Sequence, residues 1–213
     1  MDKKYWEKIS GNYDGEIFDV LENDTNDVII AFLRHIASSQ KTIADAGCGI
    51  GKWLSLLSSL FGNIVAIDIS DANIEYARKK YKRLKNVVFE NGDIASGLNY
   101  PDLFDAILCV NAVITDSYSK RDNFFKNLSL SLTHGGSLIL VVPSLESALY
   151  VDYIFDKCNR KNGFLQKKKL GKVDGALLQN LKTGIINLDG VPTKHYLEEE
   201  LTDTLNEFGF EIQ

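Results

Sequence analysis

The chain has 213 residues, 45% of them hydrophobic and 25% charged, which excludes disordered, collagen-like and disulfide-scaffold classes. With 24 basic against 29 acidic residues the net charge is −5, so the molecule as a whole is not built to bind polyanions. Three cysteines, Cys48, Cys109 and Cys158, with no C-x-x-C spacing, argue against a disulfide framework and a zinc site alike and suit a reducing cytosol. The apolar runs VIIAFL and SLILVV fall short of the roughly 20 residues of a membrane helix. The charged start MDKKYWEK leads into no signal-peptide core. The sequence therefore predicts a cytoplasmic protein that engages no membrane, with one domain over residues 1–213.

Residues 1–18 space Tyr5, Trp6, Ile9, Tyr13, Ile17 and Phe18 at helical intervals, predicting one amphipathic helix or two short ones broken near Gly11. With a second helix over 26–38 they form an N-terminal helical cap, 1–40. TIADA (42–46) is a short buried strand that ends in the glycine cluster GCGIG, and KWLSLLSSL after it is helical. IVAID (64–68) is a strand, and Asp71 caps a helix ending near Arg83. VVFENGD, FDAILCV and SLILVV are three more strands, the last two separated by a helix over 120–132. This alternation predicts a mostly parallel sheet with helices on both faces, a three-layer α/β sandwich. Residues 144–192 read as an insertion or lid after the fifth strand. It comprises a helix over 147–157, a lysine-rich stretch, and the runs GALLQNL and TGIINLDG as a hairpin. A last helix over 198–208 precedes FEIQ, which reads as the start of an edge strand cut short by truncation.

In an open parallel sheet, ligands bind beyond the carboxyl ends of the strands. ADAGCGIGKW sets Gly47, Gly49 and Gly51 at alternate positions between a buried strand and a helix. Such a bend lets a ligand lie against bare backbone and offers it N–H groups. The dinucleotide fingerprint G-x-G-x-x-G needs glycine where Lys52 stands, and a phosphate-cradling loop needs Ser or Thr where Trp53 follows Lys52. Asp68 closes the second strand, 17 residues after Gly51, where a carboxylate can accept from two ribose hydroxyls.

With Asp45, Gly47, Gly49 and Gly51 matching the motif D/E-x-G-x-G-x-G, the sequence resembles the class I S-adenosylmethionine-dependent methyltransferases of small-molecule type, over roughly residues 42–143. The resemblance implies a Rossmann-like sheet, S-adenosyl-L-methionine as cofactor and S-adenosyl-L-homocysteine as product. It implies that Gly47, Cys48, Gly49 and Gly51 form the cofactor turn, that Asp45 helps hold the cofactor ammonium, and that Asp68 binds the ribose with Ile69 against the adenine. It further implies that Asp93 reads the adenine amino group with Ile94 covering the ring, and that Cys109, Val110 and Asn111 line the methionine half. Tyr13 stands where similar enzymes fold a tyrosine over the cofactor carboxylate. Asp105, at the start of its strand, reads as structural.

The N/D-P-P-Y/F/W motif of amino-methylating enzymes is absent after the fourth strand, where VNAVITD stands. Pro143 is followed by Ser144 rather than by a nucleophilic cysteine. A small-molecule acceptor is the default that remains, bound by a monomer or homodimer. No universal catalytic residue is expected, because methyl transfer depends mainly on alignment and water exclusion. His195 is the one candidate base, and packing competes with that role. Residues 157–172 carry seven basic side chains and no acid, so an RNA-methylating enzyme is the alternative, against which stands the lack of an aromatic ladder. A module that binds S-adenosylmethionine without catalysis is the third reading.

Overall fold

A computed structural model of the chain describes residues 3–97, 100–161, 182–188 and 190–213. The chain divides into two compact units, Met1–Val113 with Ser117–Val141, and Ile114–Asp116 with Val142–Gln213.

The first unit opens with α1 (Lys3–Ile9), a 3-10 turn (Ser10–Asn12), α2 (Tyr13–Glu16), α3 (Val20–Asn23) and α4 (Val28–Ile36). The expected N-terminal helix is broken at Gly11, inside the 3-10 turn. Then come β1 (Ser38–Ala46), α5 (Leu54–Leu60), β2 (Phe61–Asp68), α6 (Asp71–Lys80), β3 (Val87–Asn91), β4 (Phe104–Val110), α7 (Tyr118–Ser131) and β5 (Leu132–Val141). The strands form a parallel sheet in the order β3-β2-β1-β4-β5, with helices around it. This is the parallel α/β sheet that the alternation predicted, with the Rossmann-like strand order that the resemblance implied.

Burial follows position in the sheet. On β1, the run Ile43–Ala46 is wholly buried, as is Ile64–Asp68 on β2 and Ala106–Cys109 on β4, whereas the edge strands β3 and β5 are mostly half-exposed. Central parallel strands covered on both faces read as continuous apolar runs, which is why these three stood out in the sequence. Ile43, Ile64, Ala106 and Leu108 from the strands meet Leu33 of α4, Leu54 and Leu57 of α5, and Ile74 and Ala77 of α6 in one apolar core.

Two strands start earlier than the apolar runs indicate. β1 begins at Ser38 and β5 at Leu132, and both carry register shifts against their neighbours, between Ser38 and Thr42 and opposite Phe104 and Ala106. The extra residues of these bulges are polar or glycine, so no apolar pattern announces them. At the start of α6 the cap is Ser70, whose hydroxyl accepts the Asn73 amide at 3.2 Å, and Asp71 is the first helical residue. The expected cap at Asp71 is thereby corrected by one position: Ser70 has the extended backbone that capping requires, φ −88° and ψ 121°.

The second unit contains α8 (Leu145–Lys161), β6 (Ile185–Leu188), β7 (Val191–Lys194) and α9 (Glu198–Glu207). A hairpin forms here between Ile185–Leu188 and the later Val191–Lys194, Ile185 lying opposite Lys194. Pro192 sits on this two-stranded ribbon, where a missing amide is tolerated, and it hid the strand in the sequence. GALLQNL falls outside the described residues. FEIQ takes no regular structure. Lys194 is fully buried, paired with Glu200 at 2.6 Å, donating to the Thr183 carbonyl at 2.9 Å and lying 4.8 Å from the Tyr196 ring centre. No helix among the described residues is long and apolar enough to cross a membrane.

Leu108 is fully buried on central β4, whereas Val88 on edge strand β3 is 59% exposed. Leu108→Ala should lower the unfolding free energy by about 2–5 kcal/mol, and Val88→Ala by about 0.5 kcal/mol or less. Urea denaturation of both variants checks the contrast.

Candidate cofactor site

β1 is hydrogen-bonded to β2 on one side and β4 on the other. The chain crosses outward in both directions from it, which makes its carboxyl end a topological switch point. The turn that follows carries left-handed backbone at Gly47 (φ 81°), Gly49 (φ 52°) and Gly51 (φ 83°). A Cβ on Gly47 would collide with the Cβ of Ala112, and one on Gly49 with the Tyr13 hydroxyl. The glycines are therefore required by backbone conformation and by the close approach of protein groups.

Four amides of this turn are committed. Gly47 and Cys48 both donate to the Ile67 carbonyl, at 2.8 and 2.9 Å, and Gly51 donates to Cys48 at 2.9 Å. Gly49 donates to the Asp68 Oδ2 at 2.8 Å. For these four amides the expectation of free N–H groups is corrected: β2 takes three, two on the Ile67 carbonyl and one on the Asp68 carboxylate, and Cys48 takes the fourth within the turn.

Asp68 ends β2 and is 8% exposed. Besides Gly49, it accepts the Ser70 amide at 2.9 Å and the Asn73 side-chain amide at 3.3 Å, both on Oδ1. Burial pushes its pKa up, and the hydrogen bonds from Ser70, Gly49 and Asn73 pull against that. A carboxylate offers about four acceptor positions, and three are used by protein, which leaves one toward the open side. Asn73, itself fully buried with no partner for its Oδ1, is the residue the sequence reading missed. Its signal was the spacing Asp-x-Ser-x-x-Asn, in which the serine caps the helix and the asparagine turns back to the strand end.

Asp45 lies on β1 between Ala66 and Leu108 in register. It is 2% exposed and its Oδ2 has no hydrogen-bond partner. Burial, followed by the charge of Asp68, raises its pKa to about 7. Cys48 and Cys109 close the same neighbourhood, their thiols pushed up by burial, Cys109 to about 12. Both act as small apolar groups.

Around this centre, Tyr13 is half-buried with its hydroxyl over Gly49, and Asn111 leaves β4 in a left-handed conformation (φ 51°) beside half-buried Val110. The Asn111 amide is taken by the Val141 carbonyl at 2.8 Å. Ile69 is half-buried. Asp93 caps a 3-10 turn (Ile94–Ser96), accepting the Ala95 amide and the Ser96 hydroxyl, each at 3.0 Å. Ile94 is 4% exposed, and its carbonyl takes the Asn127 side chain at 2.7 Å. Asp105 accepts the Thr42 amide at 2.8 Å at the other end of the strands, as a structural residue would.

The N-terminal helix α1 is tied to the same sheet end. Lys3 pairs with Asp71 at 2.7 Å, and Glu7 accepts the Asp71 amide at 2.7 Å at the start of α6. Lys52 pairs with Asp19 at 2.7 Å. His195 belongs to the second unit, 6% exposed, with Nδ1 at 3.1 Å from the Thr193 carbonyl and its amide on the Gly184 carbonyl at 2.7 Å. Burial lowers its pKa. Most of the basic stretch 157–172 lies outside the described residues. No cluster of metal-ligating side chains occurs among the described ones.

Residues 43–136 match a family model described as a methyltransferase domain. "Putative methyltransferase 235L" of Invertebrate iridescent virus 6 is 29% identical over 115 residues, which cover 52% of this chain and 40% of that protein. The aligned stretch thus spans less than half of that relative. Among solved structures, the PH0226 protein from Pyrococcus horikoshii OT3 matches with a TM-score of 0.65 at 20% identity, covering 90% of this chain and 84% of that one. The DhpI-SAM-HEP complex matches with a TM-score of 0.63 at 16% identity, over 97% and 86% of the two chains. At such identities the likeness is one of fold. Strand order and the match over 43–136 agree: this part of the chain is similar to methyltransferase domains in sequence and in fold.

Proposed function

We propose that the chain binds S-adenosylmethionine at the carboxyl end of β1 and β2 and transfers its methyl group to a small-molecule acceptor. The observation that carries this reading is Asp45, a buried carboxylate with an unpartnered oxygen beside a turn built of left-handed glycines. A buried acceptor with no donor is costly, and a ligand ammonium supplies the missing donor. The donor set fits the rest of the molecule: one free acceptor position on Asp68 for a ribose hydroxyl, Ile69 and Ile94 for the adenine faces, and Asp93 for its amino group. Cys109, Val110 and Asn111 would face the methionine half, with Tyr13 over the turn.

When bound, the cofactor supplies an electrophilic methyl group on a sulfonium. The chain's own work is to fix that group and to exclude water. Small uncharged thiols at Cys48 and Cys109 keep the surroundings apolar, and two acids favour a positively charged ligand over a neutral one.

A turnover screen that follows S-adenosylhomocysteine formation against pooled metabolites tests the activity directly. Product should form with at least one small-molecule pool. Product formed only with RNA, or with no acceptor at all, would remove the small-molecule reading. In the binding step, Asp68→Ala should weaken S-adenosylmethionine about ten- to a hundredfold. The same change should lower the unfolding free energy by about 1–3 kcal/mol, because the Gly49 and Ser70 amides lose their acceptor. Titration calorimetry showing unchanged affinity would take Asp68 out of the site.

A further inference from the structure

Asp45 and Asp68 end adjacent parallel strands as two buried acids, 2% and 8% exposed. Asp68 is compensated by three donors, but Asp45 keeps a buried oxygen with none. The titratable groups that face Asp45 are Asp68 on β2, Cys48 in the turn and Cys109 on β4, and Glu7 of α1 adds its charge toward Asp68. Every one of them is an acid. The ion pairs of the described residues, Lys3–Asp71, Lys52–Asp19, Lys79–Glu75 and Lys194–Glu200, leave both carboxylates out. Two desolvated carboxylates without a cation do not both stay ionised.

We infer that the site exchanges a proton for its ligand: the free protein holds Asp45 protonated, and the ammonium of the cofactor's amino-acid part displaces that proton on binding. This rests on the proposed cofactor reading and adds to it a coupling between pH and occupancy. The balance is simple. The Asp45 O–H bond breaks, the proton leaves to solvent, and the carboxylate formed is neutralised by the incoming ammonium. Nothing is oxidised or reduced. The pKa of about 7 for Asp45 in the free protein places the exchange at physiological pH.

The same group makes the free protein sensitive to pH. Its folded-state pKa lies above the unfolded value of 3.8, so between them the native state holds a proton that the unfolded chain has lost. The stabilisation is fully present below about pH 4 and disappears as pH rises through about 7. A ligand that neutralises the carboxylate restores it.

Calorimetric titration of the full chain with S-adenosylhomocysteine, in buffers of differing ionisation enthalpy, counts the protons released. The release should be close to one per ligand at pH 6 and about half at pH 7, with affinity falling about tenfold per pH unit well below 7. 5′-Methylthioadenosine, which lacks the ammonium, should bind with no release. Asp45→Asn should abolish the release and flatten the affinity profile. Without ligand, that variant should also lose less melting temperature than the natural chain between pH 5 and pH 8. Binding of S-adenosylhomocysteine with no proton release at pH 6 overturns the exchange and leaves the cofactor reading standing, as does release that persists in Asp45→Asn. Failure of S-adenosylhomocysteine to bind at any pH overturns the cofactor reading itself.

Discussion

The Asp68 carboxylate is the joint on which the top of the sheet depends. One oxygen holds the Gly49 amide in the turn after β1, and the other holds the Ser70 amide and Asn73 at the start of α6. Together with the Ile67 carbonyl, which takes the Gly47 and Cys48 amides, it fixes the turn to the end of β2. The left-handed glycines follow from that closure, since side chains at Gly47 and Gly49 would strike Ala112 and Tyr13. What remains for a ligand is a surface with four of its amides spent and two buried acids beside it.

Under the proposed function, that surplus of acid is what selects the ligand. A phosphate-bearing nucleotide would meet Asp68 and Asp45, neither in an ion pair, with four of the turn's amides already taken. A nucleoside carrying an ammonium and a sulfonium meets complementary charge in a medium where charge is weakly screened. The glycine spacing that argued against dinucleotide and phosphate motifs and the electrostatics of the folded site thus point the same way. The burial that makes Asp45 expensive in the free protein strengthens its attraction for a cation, so a cost in stability and a gain in binding arise from one residue.

Much of the fold was legible in the sequence because the central strands are buried on both faces. IVAID and FDAILCV declared themselves by unbroken apolar character, and the turn by its glycines. What stayed hidden lies where local pattern is weak. The first residues of β1 and β5 are bulged and polar, the hairpin strand β7 contains Pro192, and the cap of α6 falls on Ser70 rather than on the neighbouring acid Asp71. At the sheet end, Asp68 stood out by closing β2 and Asp45 by the resemblance of its glycine turn to a family motif. Asn73 and Glu7 did not, since each acts through a contact made only after folding, Asn73 on Asp68 and Glu7 on the Asp71 amide. Four amides of the turn were misread for the same reason: the sequence shows the glycines but not the acceptors on Ile67, Asp68 and Cys48 that take their N–H groups.

The account rests on a buried acid that is neutral until a cation arrives. Carboxyl-carbon NMR of Asp45, followed through a pH titration with and without S-adenosylhomocysteine, reports this directly. The account predicts a midpoint near 7 in the free protein, moving well below 5 with ligand bound. An ordinary midpoint near 4 in the free protein, or one that ligand leaves in place, would contradict it.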